Sequence, residues 1–272
     1  MKIGELLGVG NTANVYQWGN TEVIKIFHDH ICSMHEAQKE ASRAEMINDL
    51  NLRTPKYSGY IEHEGKPCLV YERIDGPTML RQIEASKPSV SYYAGLMAQL
   101  HFELHKIEIK HPPNLKTEIT NRINMLGQIK ECEKQSVHAL LDALPEGNAI
   151  CHYDFHPDNV ILSSRGPILI DWINVLIGHP AADVTRSSMM FQSHALPPNA
   201  PRWLKEREYR EFFNEEYVRE YFMLSGMDQK MLDDWMAPTL AARIDELTHE
   251  AQTEIINKLR NILKNYSNNP MP

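Results

Sequence analysis

The side chains with the most chemistry in this chain are concentrated in one stretch, His152-Tyr153-Asp154-Phe155-His156-Pro157-Asp158-Asn159, followed by Asp171 at the end of the apolar run ILID. A carboxylate five residues ahead of an amide, with another carboxylate closing a strand soon after, suits phosphoryl transfer. In that chemistry Asp154 lies beside an acceptor hydroxyl. Asn159 and Asp171 offer the oxygen ligands that Mg2+ takes while it sits on the phosphates of ATP. The same residue types also make turns, because Asp, Pro and Asn favour them. The apolar runs on either side, VILSS and GPILID, favour a catalytic loop ahead of a hairpin.

A second group lies near the start: Gly8-Val9-Gly10-Asn11-Thr12-Ala13-Asn14-Val15-Tyr16, between two strand-like runs. Gly8 and Gly10 let backbone N–H groups come close to ATP phosphates, and a simple hairpin turn explains them equally well. Downstream, Lys25 in VIKIF has apolar neighbours on both sides. It is either an exposed edge residue or a cation set against the α- and β-phosphates. Such a cation needs a carboxylate to orient it. Glu36, Glu40 and Glu45 on the following helix all qualify, and all three equally suit a solvated helix face.

These groups need elements to hold them. GELLGVGNTANVYQW and EVIKIF read as short β runs with Gly/Asn-rich turns. A helix follows, from about Ser33 to Asp49, and Pro55 closes that region. YSGYIEHEGKPCLVYERI reads as a hairpin turning at Glu64-Gly65-Lys66. After Asp75-Gly76-Pro77 the chain becomes mostly helical, with Leu96, Leu100 and Leu104 at helical spacing and a second helical region from Lys116 to Leu144. A β island spans Ala149 to Ile173, and helices fill the rest, interrupted by LPPNAP and Gly226. This is an α+β, two-lobed pattern, divided into residues 1–74 and 75–272.

At 272 residues the chain can bury one large core or two lobes. A hydrophobic share of 42% and a charged share of 24% are ordinary for a soluble globular protein. A net charge of -8 argues against a nucleic-acid partner and is compatible with a cationic small substrate. Cys32, Cys68, Cys132 and Cys151 are scattered, as expected of ordinary thiols in a reducing cytosol. The opening MKIGELLGVG has no basic segment leading into an apolar one, so no signal peptide is expected. The apolar run ILIDWINVLIG is too short for a bilayer and carries an aspartate. A cytoplasmic protein with no membrane partner is the expectation. Oligomeric state leaves no trace in the sequence.

Taken together, these residues resemble the aminoglycoside phosphotransferase and choline kinase family, a relative of the protein kinases. The resemblance covers most of the chain in order: the glycine turn, VIKIF, KEASRAEMINDLNLRTP, CLVYERIDG, LMAQLHFELH, CHYDFHPDNVIL, ILIDW and GHPAADVTR. It implies a protein-kinase-like fold with a small β-rich N-lobe and a larger, mostly helical C-lobe. It selects Glu40, because a Glu-Ala pair opens the family's helical run and Pro55 closes it. It implies backbone contacts from Glu72 and Ile74 to adenine, and a small-molecule acceptor hydroxyl such as that of an aminoglycoside, choline, another amino alcohol or a sugar. It also gives Asp183 the task of steadying the catalytic loop. The departures are Tyr153, where the family often has Gly, Asp158, where it commonly has Gly, Ile173, where it is often acidic, and Ala13-Asn14 in place of a third loop glycine.

Two other readings compete. A protein kinase carries an Ala-Pro-Glu motif after its Asp-Phe-Gly, and this chain has Asp171-Trp172 with no such motif. A catalytically silent nucleotide binder would lack some of the charged groups found here. His28-Asp29-His30 reads as a polar turn rather than a metal site. His101 and His105 read as a packed pair, since no HExxH glutamate accompanies them. Trp203, Tyr209, Trp235 and Arg243 are core residues or part of an acceptor pocket.

Overall fold

The computed structural model describes residues 2–10, 12–29, 33–50, 52–110, 112–193, 196–197 and 199–268. Asn11, His30 and Cys32 fall outside them. The chain forms two compact units, one of Met1–Gln82 with Pro157–Asn174, the other of Ile83–His156 with Val175–Pro272. A division at 74/75 therefore falls short of the first break and does not anticipate the return of 157–174. Backbone hydrogen bonds explain that return. Leu162 donates its N–H to Pro77 O at 2.9 Å, and Leu169 donates to Arg53 O at 2.8 Å.

In the first unit, β1 (Ile3–Val9), β2 (Ala13–Trp18), β3 (Glu22–Phe27), β4 (Tyr57–His63) and β5 (Lys66–Glu72) form an antiparallel sheet of order β1-β2-β3-β5-β4. The hairpin between β4 and β5 turns on Glu64 (φ 50°) and Gly65 (φ 76°). Two successive left-handed residues match the twist of the flanking strands. Helix α1 (Ser33–Asn48) presents Ala37, Glu40, Ala41, Ala44 and Ile47 as its buried stripe. The alanines pack on Ala13, Phe27, Tyr57 and Leu69 of the sheet, and burying Phe27 or Leu69 stabilises by about 1.5–3 kcal/mol each. Side chains alternate across a strand, so Val23, Lys25 and Phe27 share the α1 side of β3. Ile24 and Ile26 join Trp18, Cys68 and Val70 on the other side. Because β3 lies between β2 and β5, Lys25 is no edge residue.

The unit is completed by α2 (Met79–Gln82) and by the hairpin of β7 (Val160–Ser163) and β8 (Gly166–Leu169). Gly76 allows this hairpin to approach. At φ 152° a side chain is strained, and a Cβ there would stand 2.4 Å from Leu162 O.

The second unit holds β6 (Ala149–Cys151) antiparallel to β9 (Leu176–Gly178), with α3 (Lys87–His105), α4 (Leu115–Met125), α5 (Glu131–Ala143), α6 (Pro180–Gln192), α7 (Arg202–Lys205), α8 (Arg207–Ser225), α9 (Lys230–Asp234), α10 (Met236–Arg243) and α11 (His249–Asn268). The helical region expected from Lys116 to Leu144 consists of two helices, α4 and α5. The break around Gly127 fits the poor helix propensity of glycine. Leu115, Ile119, Val137, Leu141, Trp235, Leu259 and Leu263 share one core. Trp203 and Trp235 are fully buried, as core residues, and Tyr209 is half-buried. Helix α3 packs along α8. Among the described residues no helix is long and apolar enough to cross a membrane.

Candidate active site

The first unit brings three of the expected residues into contact. Lys25 donates from Nζ to Glu40 Oε1 at 2.9 Å and Oε2 at 2.7 Å, and to Asp171 Oδ1 at 3.3 Å. Tyr71 donates its hydroxyl to Glu40 Oε1 at 2.9 Å. Glu40 lies on the buried stripe of α1, whereas Glu36 is half-buried and Glu45 exposed. Burial alone would drive the Lys25 ammonium towards neutrality. The Asp171 and Glu40 carboxylates outweigh it and hold the lysine pKa above its ordinary value. Burial pushes the Glu40 carboxyl up, against the pull of the Lys25 ammonium.

The β7–β8 hairpin positions Asn159 and Asp171. Asn159 ends the turn Pro157–Asn159 just before β7, and Asp171 follows β8 by two residues. Ile170 donates its N–H to Asn159 O at 3.0 Å, which ties the two ends together. Asp171 adopts φ 65°, a conformation that costs a non-glycine residue and is met at functional sites. Its side chain stays 40% exposed although it touches Lys25. An exposed carboxylate and an amide on neighbouring strand ends are hard oxygen donors, and they fit Mg2+. Trp172 anchors the segment, its indole N–H donating to Thr54 Oγ1 at 2.9 Å. Asp158 accepts from Thr78 Oγ1 at 2.8 Å, a turn-stabilising contact.

Gly8, Val15, Lys25 and Leu69 form one row across the sheet. The glycine turn and the lysine are thus set on adjoining strands by register. Gly10 donates its N–H to Ala13 O at 2.9 Å. A Cβ on Gly10 would lie 3.0 Å from that oxygen, so a small residue suits the turn. Glu72 ends β5, with its N–H taken by Lys56 O at 2.8 Å, and Ile74 follows two residues later.

The second unit holds Asp154. The residue before it, Tyr153, adopts φ 59° and donates its N–H to Asp183 Oδ1 at 2.9 Å. Asp183 Oδ2 lies 3.0 Å from His101 Nε2 and 3.3 Å from His105 Nε2. Tyr217 and Tyr221 of α8 meet the Nδ1 atoms of these histidines at 2.6 Å and 2.7 Å. An ionised carboxylate only accepts, so His105 presents Nε2–H to it while His101 Nε2 lies beside it as a charge contact, and each imidazole accepts a tyrosine hydroxyl at Nδ1. Burial opposes the Asp183 charge, yet the two histidines hold its pKa well below the carboxylate range. Burial, reinforced by His105, lowers His101 to about 4. The expected histidine pair is packed, and it contacts Asp183, which accepts the backbone N–H next to Asp154. His156 Nε2 lies 3.8 Å from Asp154 Oδ2. Tyr71, Tyr217 and Tyr221 had not been singled out from sequence. The Tyr217/Tyr221 spacing, which repeats that of His101/His105, was the available signal.

Residues 4–228 match the APH phosphotransferase enzyme family. The chain belongs to that family. Streptomycin 6-kinase of Streptomyces griseus is 25% identical to this APH-family chain over 142 residues, a stretch that takes in 44% of the chain and 42% of that kinase. An amicoumacin kinase solved with AMP-PNP, Ca2+ and Ami has a TM-score of 0.59 at 13% identity, over 97% of this chain and 88% of that one. A choline/ethanolamine kinase family protein of Mesorhizobium loti has a TM-score of 0.58 at 16% identity, again over 97% and 88%. The fold of this APH-family chain is therefore protein-kinase-like, with a β-rich N-lobe and a larger helical C-lobe.

Proposed function

We propose that the chain is an ATP- and Mg2+-dependent phosphotransferase that moves the γ-phosphoryl group to a hydroxyl of a small molecule. The observation that carries this reading is the Lys25–Glu40–Asp171 contact, at 2.7 Å and 3.3 Å, in a member of a phosphotransferase family. Lys25, held by Glu40, binds the α- and β-phosphates, and the N–H groups around Gly8 and Gly10 cover them. The carbonyl of Glu72 and the N–H of Ile74 receive adenine. Asn159 and Asp171 hold Mg2+, which when bound neutralises phosphate charge. Asp154 orients the acceptor hydroxyl and takes its proton as the new O–P bond forms. The bond from the γ-phosphorus to the bridging oxygen breaks, and ADP leaves. Positioning and electrostatics supply most of the acceleration.

The acceptor classes that the family resemblance suggests are aminoglycosides, choline-like amino alcohols and sugars. The test is a screen with γ-labelled ATP and Mg2+ across amino alcohols, aminoglycosides, sugars, hydroxy acids and hydroxy amino acids. Label transfer to a hydroxyl, abolished by Asp154→Asn, supports the reading. Transfer to protein only, or Mg-ATP binding with no transfer to any class, favours a protein kinase or a silent nucleotide binder.

A further inference from the structure

Tyr153 places a buried aromatic ring next to Asp154 in the chain, and that ring leads to a second set of groups. Tyr153 is fully buried, and the guanidinium of Arg186, from α6, lies 4.6 Å from its ring centroid. Two more arginines reach the same place, Arg122 of α4 and Arg243 at the end of α10. All three converge on one carboxylate, Glu246. Arg122 Nη1 donates to Oε1, Arg186 Nη2 donates to Oε2 at 2.8 Å, and Arg243 Nε lies 3.7 Å from Oε2. Arg122 is further satisfied by Glu118 at 3.1 Å.

Glu246 leaves some of the donors of Arg186 and Arg243 unused. Among the described residues, Arg186 Nε, Arg186 Nη1, Arg243 Nε and the Tyr153 hydroxyl are buried without a hydrogen-bond partner. The Arg186 side chain is 4% exposed. Native interiors pair such groups, because each orphan carries its full desolvation penalty. Among the described residues these four donors, three of them on guanidiniums, have no acceptor, although the arginines that carry them share Glu246. Burial and the neighbouring Arg186 lower the Arg243 pKa, against the opposing pull of Glu246 and Asp154. Both arginines also interact electrostatically with Asp154.

We propose that Arg186, Arg243 and the Tyr153 hydroxyl form a subsite for an anionic oxygen group, a carboxylate or phosphate borne by the acceptor. Guanidiniums match the geometry of such groups, and they offset the repulsion an acid would meet beside Asp154. The acceptor is then a hydroxyl compound carrying an acid, rather than a purely cationic amine. The inference rests on the phosphotransferase reading for the hydroxyl, and on the orphan donors alone for the acid.

The test has two arms. The first needs no nucleotide: melting temperature is followed against inorganic phosphate and against acetate, at constant ionic strength set with sodium chloride. A saturable stabilisation of the wild type, lost in Arg243→Gln and reduced in Tyr153→Phe, is expected, and the more effective anion identifies the group. No anion-specific effect, or an equal one in both variants, overturns the proposal. Tyr153→Phe keeps the ring and its stacking, so it reports on the hydroxyl even if Arg243→Gln folds poorly. The second arm compares 4-hydroxybutyrate with its methyl ester, and glycerol 2-phosphate with glycerol, in the label-transfer assay. At least a tenfold higher kcat/KM for the acids is expected, with Arg243→Gln raising KM for the acid and leaving KM for ATP unchanged. Esters, glycerol or choline used as well as the acids overturn it, as does an Arg243→Gln defect confined to ATP. Absent Mg-ATP binding would defeat the phosphotransferase reading while leaving the first arm to decide the anion site.

Discussion

Tyr153 hangs its backbone on Asp183: its N–H donates to Oδ1 at 2.9 Å from a φ of 59°. A left-handed conformation costs a non-glycine residue about 1–2 kcal/mol, so the hydrogen bond and the buried ring hold in place a conformation the residue would not adopt alone. Asp154 follows directly and inherits its direction. Asp183→Asn removes the charge that both histidines address and forces one of them to face an N–H donor. A loss of about 3–5 kcal/mol of stability is expected, with kcat lowered more than KM for ATP. Urea unfolding and steady-state kinetics check the two parts separately, and an unchanged unfolding midpoint would count against the network.

The same network sets a pH dependence. His101 titrates at about 4 in the folded chain and near 6.5 when unfolded. Its folded pKa is depressed, so the unfolded state binds more protons between those values. The stability is complete above about pH 6.5 and declines as pH falls towards 4. By linkage, pH 5 should cost about 2 kcal/mol relative to pH 8. Unfolding free energies at the two pH values measure this, and His101→Gln should flatten the slope.

Lys25 and Glu40 form a mutually dependent pair. Lys25→Met leaves Glu40 buried with Tyr71 as its remaining described donor, and about 3 kcal/mol of stability should be lost. Adding Glu40→Gln should restore part of it, giving a coupling of about 1–3 kcal/mol in a double-mutant cycle. Strict additivity of the two changes would rule the pairing out.

Division of labour between the aspartates is testable directly. Mg-ATP at a hundred times its dissociation constant should stabilise the fold by about 2.7 kcal/mol. Asp154→Asn should keep that stabilisation and slow transfer by roughly 10²–10⁴-fold. Asp171→Ala should lose most of it. Thermal shift with and without EDTA separates the cases.

The β4–β5 hairpin was legible because a short gap containing Gly65 separates two strand-like runs. Local signals could not choose between Glu36, Glu40 and Glu45, which are equally good on an isolated helix. Packing distinguishes them, since Glu40 alone of the three is buried on the alanine stripe. Arg122, Arg186 and Arg243 come from three different helices, and their convergence on Glu246 has no local periodicity to announce it. Tyr217 and Tyr221 carried a faint signal, readable only once α3 and α8 are known to pack.

The unit that holds Lys25 and Glu40 is discontinuous, which has a consequence for how the chain is made. Residues 83–156 separate its two pieces, and at about 5–20 residues per second a ribosome needs roughly 4–15 s to cross them. Through that interval the lysine and glutamate exist without Asp171, and Thr54 without Trp172. This unit therefore cannot mature ahead of the rest, and a fragment ending at Gln82 would lack part of its own contacts. Synthesis through Asn174 acts as the clock on assembly of the site.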